Sequence, residues 1–563
     1  MSSTSDAVQG AFDGASRTAE PVLKQSHWKP SPGRLFETSI GDALRETAAQ
    51  IPDGIALVVA YDGRRLTWAE LLDQAERGAW TLAARFPEGS HVAVWSSNRM
   101  EVELLQLAAA MAGVTVVMVN PALTRHEARF ILEQSGSVAV FVDPTFDGGR
   151  LSRDSDVLRA DIETLAEVFS LDDWLDLIAT SAEHALPEMT PDAVAQIQYT
   201  SGTTGRPKGA MLTHRASLTN ANATSERSGV VAGDVLLNPL PMFHIGSSTL
   251  CVFAAIVRHA THVLMSRFDA ETVLDLVEAE GVNHLFVVPT MLHRLLDKAD
   301  TGRDLSSLKS VYCGAANLPP SELESARRMF GCDLSNGYGM TEAHGAVTQT
   351  ASSDGQLEQD ETVGRPMPLT ELRIVDPTTG AVVPVGVDGE IQIRGYQTTP
   401  GYFAAPEATA QAFAEDGWFR SGDIGTLDTG GYVRVKSRLK DVVIRGGENV
   451  YPAEVENVLT EFPGVVGVQV FGLPDPKFGE KVAAAVLLDP SSTVDLGAVV
   501  SWARERLAAY KVPDTWFEVG EFPMTSTNKV RKSDLRQTIL DSGQAPSWHW
   551  ATHDPAAARG GRS

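Results

Sequence analysis

The sequence predicts an α/β protein: a large N-terminal domain of two stacked, pseudo-symmetric βα lobes plus a small β-subdomain, followed by a small mobile α+β C-terminal domain. Three observations carry this. Short apolar strands alternate with helical segments in two separate series, the pattern of parallel βαβ units. From about Leu369 the pattern changes to short strands and turns, and after Lys440 to a compact mixture of strand and helix. At 563 residues the chain also exceeds what one hydrophobic core usually organises. The expected boundaries are a disordered N-terminus over 1–30, a first domain over 31–437, a hinge over 438–440, a second domain over 441–540 and a flexible tail over 541–563.

Taken in order, Asp42–Ala49 reads as a helix and Ile55–Tyr61 as a strand. Thr67, three residues before Glu70, is a capping-box start for the next helix. His91–Trp95 reads as a strand, Glu101–Ala112 as a helix and Val114–Val119 as a buried strand; Thr124–Gln134 and Val138–Val142 repeat the alternation. The acidic stretch Asp154–Met189 is ambiguous, partly helical, with a surface excursion among the options. The second series has strands at Val235–Asn238, Thr261–Met265, His284–Val288 and Ser310–Cys313. Helical segments at Ser247–Arg258, Ala270–Glu280, Thr290–Leu296 and Ser321–Met329 alternate with them. Leu372–Val375, Gly389–Arg394 and Gly430–Val435 fit strands of the β-subdomain, and Pro452–Thr460 and Leu496–Leu507 helices of the second domain.

Composition narrows the function classes. A net charge of −25 disfavours nucleic-acid binding, which needs a basic footprint, but not a nucleotide in a local positive pocket. Cys251, Cys313 and Cys332 show neither metal nor disulfide spacing and read as reduced thiols of a cytoplasmic protein. The first 25 residues lack the apolar segment of a signal peptide. The longest apolar run, Leu104–Val119, is short for a membrane span and reads as a helix end running into a buried strand.

The most informative stretch is Tyr199-Thr-Ser-Gly-Thr-Thr-Gly-Arg-Pro-Lys-Gly-Ala210. Gly202 and Gly205 let backbone N–H groups approach a ligand closely. Thr200, Ser201, Thr203 and Thr204 add hydroxyl donors, and Lys208 adds a point charge suited to phosphate. A merely polar loop is the bland alternative. The stretch lacks the Walker spacing. It resembles the phosphate-loop signature of the adenylate-forming superfamily, which includes acyl-CoA synthetases, aryl-acid ligases, peptide-synthetase adenylation domains and beetle luciferases.

Asn336-Gly-Tyr-Gly-Met-Thr-Glu342 comes next. Tyr338 offers a flat face for a purine, Thr341 a donor for an α-phosphate, and Glu342 a carboxylate for Mg²⁺. A glycine turn with a core tyrosine is the alternative. The stretch resembles the superfamily's adenine and Mg²⁺ motif, which implicates Asn336, Gly337, Gly339 and Met340 in nucleotide binding. Phe419-Arg-Ser-Gly-Asp423 resembles the ribose motif: one carboxylate, Asp423, can accept from two vicinal hydroxyls. Gly314-Ala315-Ala316 matches the loop between adenine and acyl pocket, with Asn317 in place of the usual proline. Gly364-Arg-Pro366 matches a further motif, read as structural.

The remaining marks rest on the resemblance. Tyr432 to Asp441 is similar to the hinge, with Arg438 the phosphate or ribose contact and Lys440 the pivot; Ser437 stands where glycine is usual. Gly446 and Gly447, in Arg445-Gly-Gly-Glu-Asn-Val-Tyr-Pro, match the segment lining the pantetheine channel of related CoA ligases. Lys529 matches the C-terminal lysine that contacts carboxylate and α-phosphate, preceded by Asn528 where glycine is usual. Pro239-Leu-Pro-Met-Phe-His244 resembles the acyl-pocket guard; His244 is the candidate gate, against the alternative of a packed, hydrogen-bonded histidine.

The resemblance spans roughly residues 35–535 and implies an AMP-forming acid–CoA ligase using ATP, Mg²⁺ and CoA. Catalysis would involve Lys529, Thr341, Glu342 and His244. Partners would be a small carboxylic acid and CoA, with no nucleic acid and no membrane span; a homodimer is a candidate assembly. Met242–Phe253 and Val287–Met291 are apolar, which suits a fatty or other apolar acid. Two rival readings remain: an adenylate-forming enzyme that serves a carrier thiol, an amine or another acceptor, and a catalytically silent nucleotide-binding scaffold.

Overall fold

The computed structural model describes residues 23–200, 207–298, 302–314, 320–446, 448–491, 494–524, 530–543 and 545–549. Two parallel sheets organise the N-terminal domain. The first has six strands: His91–Trp95 is flanked on one side by Thr115–Val119 and Val194–Thr200, and on the other by Ala139–Val142 and Glu167–Ser170. All these neighbours run parallel, and an antiparallel strand, Lys208–Thr213, closes the edge. The second has nine strands, with Ile55–Val59, Thr261–Leu264, Val235–Asn238, His284–Val287, Ser310–Gly314 and Asp333–Met340 in its parallel core.

The sheets bury opposite faces of one helical layer. Helices Ile40–Gln50, Trp68–Arg85, Met100–Ala112 and Ala254–Arg258 share a single apolar core with Val92, Val116 and Phe141 of the first sheet and Leu57, Leu236 and Phe286 of the second. Met100–Ala112 is buried at every position, as a helix apolar on most sides must be. Of its polar exceptions, Glu103 meets the His262 ring at 2.9 Å, whereas the buried Gln106 amide has no hydrogen-bond partner among the described residues. The outer faces are covered by Ala270–Glu280 and Pro320–Phe330 on the second sheet, and by Arg125–Ser135 and Arg150–Asp161 on the first. The result is helix, sheet, helix, sheet, helix. Thr67 and Thr124 each start a helix with a reciprocal capping box, to Glu70 and Glu127.

Strands Thr370–Val375, Gly389–Gly395, Phe419–Leu427 and Val433–Arg438 form the antiparallel β-subdomain. The C-terminal domain packs Pro452–Thr460 and Leu496–Arg506 on a sheet built around Val465–Asp475 and Gly479–Leu488.

Several expectations change. Of the N-terminal 30 residues, His27–Trp28 form a strand paired with Thr370–Val375, and Lys29 and His27 bond Glu371; residues 1–22 lie outside the described residues. The stretch from Asp154 to Met189 is no excursion. It completes the helix Arg150–Asp161, supplies the edge strand Glu167–Ser170 and buries Trp174 under the sheet. Within the expected tail, helix Lys532–Ser542 continues to 542 and Trp548–His549 pairs with Thr515–Glu518. Among the described residues, no helix is long and apolar enough to cross a membrane.

Candidate active site

The stretch resembling a phosphate loop lies between two paired strands. Strand Val194–Thr200 leads into it and Lys208–Thr213 leaves it, with Thr200 and Lys208 opposite each other in the ladder. Ser201, Gly202, Thr203, Thr204 and Gly205 lie outside the described residues. Facing the hairpin base is the one-turn helix Thr341–Ala343, reached directly from strand Asp333–Met340. The Asn336–Met340 segment is therefore a strand, not a glycine turn; Gly314 pairs with Gly337 at the carboxyl ends of adjacent strands. Ala315 and Ala316 lie outside the described residues.

Glu342 is the meeting point. Its Oε1 accepts from the Thr200 hydroxyl at 3.2 Å and the Tyr402 hydroxyl at 2.9 Å. Lys208 Nζ sits 5.2 Å from the centre of the Tyr402 ring, within cation–π range. The turn carrying Glu342 is pinned from both sides. Thr399 N donates to the Glu342 carbonyl at 2.7 Å, and the buried His344 accepts from Thr213 N at 2.8 Å while its Nδ1 bonds the Gln397 carbonyl. Burial raises the Tyr402 phenol pKa and the Glu342 charge adds to this, so the phenol stays a donor.

A second carboxylate lies nearby in the β-subdomain. Asp423 Oδ2 accepts from the Tyr338 hydroxyl at 2.7 Å. Arg438, its cross-strand neighbour, brings Nε to 3.4 Å from Oδ1. Burial pushes the Asp423 carboxyl up, while Arg438 and the Tyr338 bond oppose this. The Ser421 hydroxyl, in place of the threonine usual at that position, anchors to the Ile391 carbonyl and accepts from Asp423 N. Asn336 Oδ1 is buried without a hydrogen-bond partner among the described residues. An orphan acceptor beside two glycines suits the amino edge of a purine, and so the residues fit an adenine nucleotide. Among the described residues no cluster of three metal-ligating side chains occurs. A single carboxylate with phosphate oxygens is an adequate Mg²⁺ site, because that ion keeps several waters.

His244 caps the short helix Ile245–Ser247, its Nδ1 accepting from Gly246 N at 3.3 Å. A π-turn follows at Ser248–Phe253, fully buried. Its Cys251, Val252 and Phe253 join Met242 and Phe286 in the buried apolar core, against which Met291 packs half-buried. Lys440 is exposed in the turn Leu439–Asp441. Gly446 turns the hairpin Val443–Val450 at φ +60°, its N–H bonding the Phe478 carbonyl at 2.8 Å. Gly447 and Lys529 lie outside the described residues. The base of the Lys529 loop is closed by Arg531 N donating to the Pro523 carbonyl at 2.7 Å.

Sequence reasoning passed over Tyr402 entirely. The only local signal was a Pro400-Gly401 turn followed by two aromatics. It also passed over two adjoining clefts of about 710 and 500 Å³ outside the carboxyl ends of Thr115–Val119 and Ala139–Val142. Arg125, Arg129 and Arg150 line them together with Phe146 and with Asp147, Asp154 and Asp161, to which the guanidiniums are paired. Arg531 of the C-terminal domain faces this region: its charge helps the Thr124 bonds hold Glu127 below the usual carboxylate value, against burial.

The AMP-binding enzyme family matches residues 44–403, and the AMP-binding enzyme C-terminal domain matches 454–529. The methyl-dioxo-octahydroindenyl-propanoyl:CoA ligase of Rhodococcus jostii is 36% identical over 521 residues, covering 89% of this chain and 98% of the relative. ATP-bound MatB from Rhodopseudomonas palustris superposes with a TM-score of 0.83 at 30% identity, covering 90% of this chain and 100% of that one. The o-succinylbenzoate coenzyme A synthetase of Bacillus subtilis, in complex with ATP and magnesium ion, superposes at 0.79 and 31% identity, covering 88% and 99%.

Proposed function

The chain belongs to the AMP-binding enzyme family, and from that premise we propose how its residues divide an acid–CoA ligation between them. The protein is an AMP-forming acid–CoA ligase that uses ATP, Mg²⁺ and CoA. The acid oxygen attacks the α-phosphorus of ATP and pyrophosphate leaves. The CoA sulfur then attacks the acyl carbon of the adenylate, and AMP leaves.

One observation carries the division of roles: Glu342 converges with both ends of the phosphate hairpin, Thr200 directly and Lys208 through Tyr402. Glu342 would hold Mg²⁺, which when bound neutralises charge on the phosphate oxygens. Thr200 and Lys208 orient the phosphates, with Ser201, Gly202, Thr203, Thr204 and Gly205 wrapping them. Asp423 takes the ribose hydroxyls, exchanging its Tyr338 bond or using the oxygen nearer Arg438. Asn336 reads the purine edge with Gly314, Gly337 and Gly339 beside it. Thr341 and Lys529 stabilise charge on the α-phosphate.

The C-terminal domain supplies the second step. The hinge is Lys440, and Gly446 with Gly447 forms the channel for the thiol arm. The apolar character of the segment after His244 supports a fatty or ring-bearing apolar acid, in keeping with the fused-ring acid in the Rhodococcus relative's name. Reduced thiols fit a cytoplasmic setting: Cys251, Cys313 and Cys332 are all free.

The test is pyrophosphate release from Mg·ATP with a panel of acids, with and without CoA, using Lys529→Ala as control. Release that needs one acid class, turns over repeatedly only with CoA and disappears in Lys529→Ala supports the assignment. Release indifferent to CoA moves the acceptor to another thiol or an amine. Silence with ATP binding intact overturns it.

A further inference from the structure

We propose that Tyr402 is a positioning residue for the adenylation step, fixing Glu342 for the divalent cation and Lys208 for the phosphates through one side chain. This rests on the reading of Glu342 as the cation ligand.

The geometry is unusual for a core tyrosine. Tyr402 is buried, at 9% exposure, and a buried phenol needs only one acceptor, commonly a backbone carbonyl. Here it donates to a carboxylate that already accepts from Thr200. Both hydroxyls fall on Oε1, and among the described residues Oε2 has no hydrogen-bond partner. Nor does any described Lys, Arg or His form an ion pair with Glu342. A partly buried carboxylate without a counter-charge is costly unless a cation arrives. Two hydroxyls gripping one oxygen hold the group in a single orientation and leave the other oxygen for that cation.

The backbone around Tyr402 is built to keep the phenol there. Tyr402 N donates to the Thr409 hydroxyl at 2.9 Å. Its neighbours ladder onto the strand leaving the phosphate hairpin: Met211 N donates to the Gly401 carbonyl at 3.1 Å, and Phe403 N to the Gly209 carbonyl at 2.8 Å. Thr399 ties the same loop to the other side, donating from its N–H to the Glu342 carbonyl and from its hydroxyl to the Met211 carbonyl at 2.8 Å. The side chain thus spans two segments whose spacing is already set. Its ring face supports Lys208 at 5.2 Å. Groups that orient a metal ligand typically alter metal affinity 10–100-fold when removed.

Tyr402→Phe removes the hydroxyl and keeps the ring; Tyr402→Leu removes both. The measurements are Mn²⁺ affinity by electron paramagnetic resonance, with an ATP analogue non-hydrolysable between the α- and β-phosphates, acid-dependent ATP–pyrophosphate exchange against Mg²⁺ and ATP, and Tm. Tyr402→Phe is expected to weaken Mn²⁺ binding about 10-fold and to raise the Mg²⁺ requirement with the KM for ATP little changed. Tyr402→Leu is expected also to raise the KM for ATP about 3–10-fold, from loss of the cation–π contact. A fall in Tm with unchanged Mn²⁺ affinity in Tyr402→Phe would make the residue structural and overturn the proposal. Glu342→Gln separates the two layers. If it binds Mn²⁺ like the parent, the reading of Glu342 fails and this inference with it. If it loses Mn²⁺ while Tyr402→Phe does not, only the role of Tyr402 fails.

Discussion

Glu342 and Gly446 belong to the same proposed catalytic cycle but are held in opposite ways. Around Glu342, hydroxyls and backbone groups from the phosphate hairpin, the 341–343 turn and the 399–403 loop interlock. Around Gly446, Ile444 is 56% exposed, Glu448 and Asn449 face solvent, and the hairpin rests on Phe478 of its own domain. The frame proposed for the nucleotide is interlocked, and the hairpin keeps a face uncovered. Rigid positioning suits phosphoryl chemistry, where orientation and charge do most of the work. An uncovered face suits an element that has to meet the site at a later stage.

The largest effect expected from breaking this comparison is at Gly364. It sits at φ +78°, and a Cβ there would lie 1.9 Å from the Gln349 carbonyl carbon. Its carbonyl accepts from Val433 N at 2.9 Å, joining the nine-stranded sheet to the strand that carries Arg438. Neither backbone can move without parting strand Asp333–Met340 from the strand that carries Asp423 and its neighbour Arg438. Gly364→Ala is expected to cost more than about 4 kcal/mol, the range of severe core disruptions. The check is the yield of folded protein and its Tm; a variant with parental Tm would show the frame to be far more compliant than drawn here.

Acid attacks the same frame more gently. His214, at the start of the buried helix His214–Arg227, accepts from Ile40 N through Nδ1 at 3.1 Å. Burial lowers its pKa to about 4, with Asp42 opposing. The folded protein therefore holds this ring neutral while the unfolded chain binds a proton near pH 6.5. Stability from this group is complete above about pH 6.5 and is lost as pH falls toward 4, by roughly 3 kcal/mol in all. His214→Asn, whose side-chain oxygen can take over the Ile40 bond, is expected to flatten that part of the pH dependence of the urea midpoint. An unchanged slope would assign the acid sensitivity elsewhere.

How far this contrast could be read in advance follows from where each signal resides. Thr200, Lys208, Glu342 and Asp423 sit in short local runs whose chemistry is visible residue by residue. The helices were visible through their period and caps, Thr67 with Glu70 above all. Tyr402 was not, because its partners converge only after the 399–403 loop pairs with the strand beyond the phosphate hairpin. That strand, Lys208–Thr213, has few β-branched residues, so nothing in its composition announces a strand. Strand Asp333–Met340 contains two glycines, which weaken a strand in isolation and pointed to a turn; pairing on both sides overrides that. His27–Trp28 is too short to show any period, and its order comes from Glu371 and from Trp28 packing on Gly431.

The next prediction concerns the join between the regions. Tyr451 of the C-terminal domain is buried against the β-subdomain: burial and the neighbouring Asp388 carboxylate raise its phenol pKa, and Lys436 lies 5.5 Å from its ring and 2.6 Å from Asp388. If the C-terminal domain must leave this position for the CoA step, the contact favours adenylation. Removing a buried hydroxyl that faces a charged pair shifts such a balance by about 1 kcal/mol, or several-fold. Tyr451→Phe is expected to lower ATP–pyrophosphate exchange several-fold and to leave thioester formation from preformed acyl-adenylate equal or faster. Equal losses in both half-reactions would mean the contact is a fixed joint.

The smallest change is the sharpest instrument. Gly446 shares its left-handed backbone with Gly364, at φ +60°, but its surroundings differ: a Cβ there would meet only Phe478 Cδ1, at 3.3 Å. Gly446→Ala should therefore cost little beyond the left-handed penalty, about 1 kcal/mol, with a shift of the Phe478 ring to relieve the one close contact among the described residues. Adenylation, carried out by the frame, should hold its rate. Thioester formation should fall several-fold, because a methyl group would narrow the path assigned to the thiol arm. The pair of glycine substitutions thus separates two uses of one conformation: at 364 the fold requires it, and at 446 the ligand would. If Gly446→Ala slows adenylation as much as the CoA step, the hairpin takes part in the first half-reaction. If it slows neither, the thiol arm reaches the adenylate by another route.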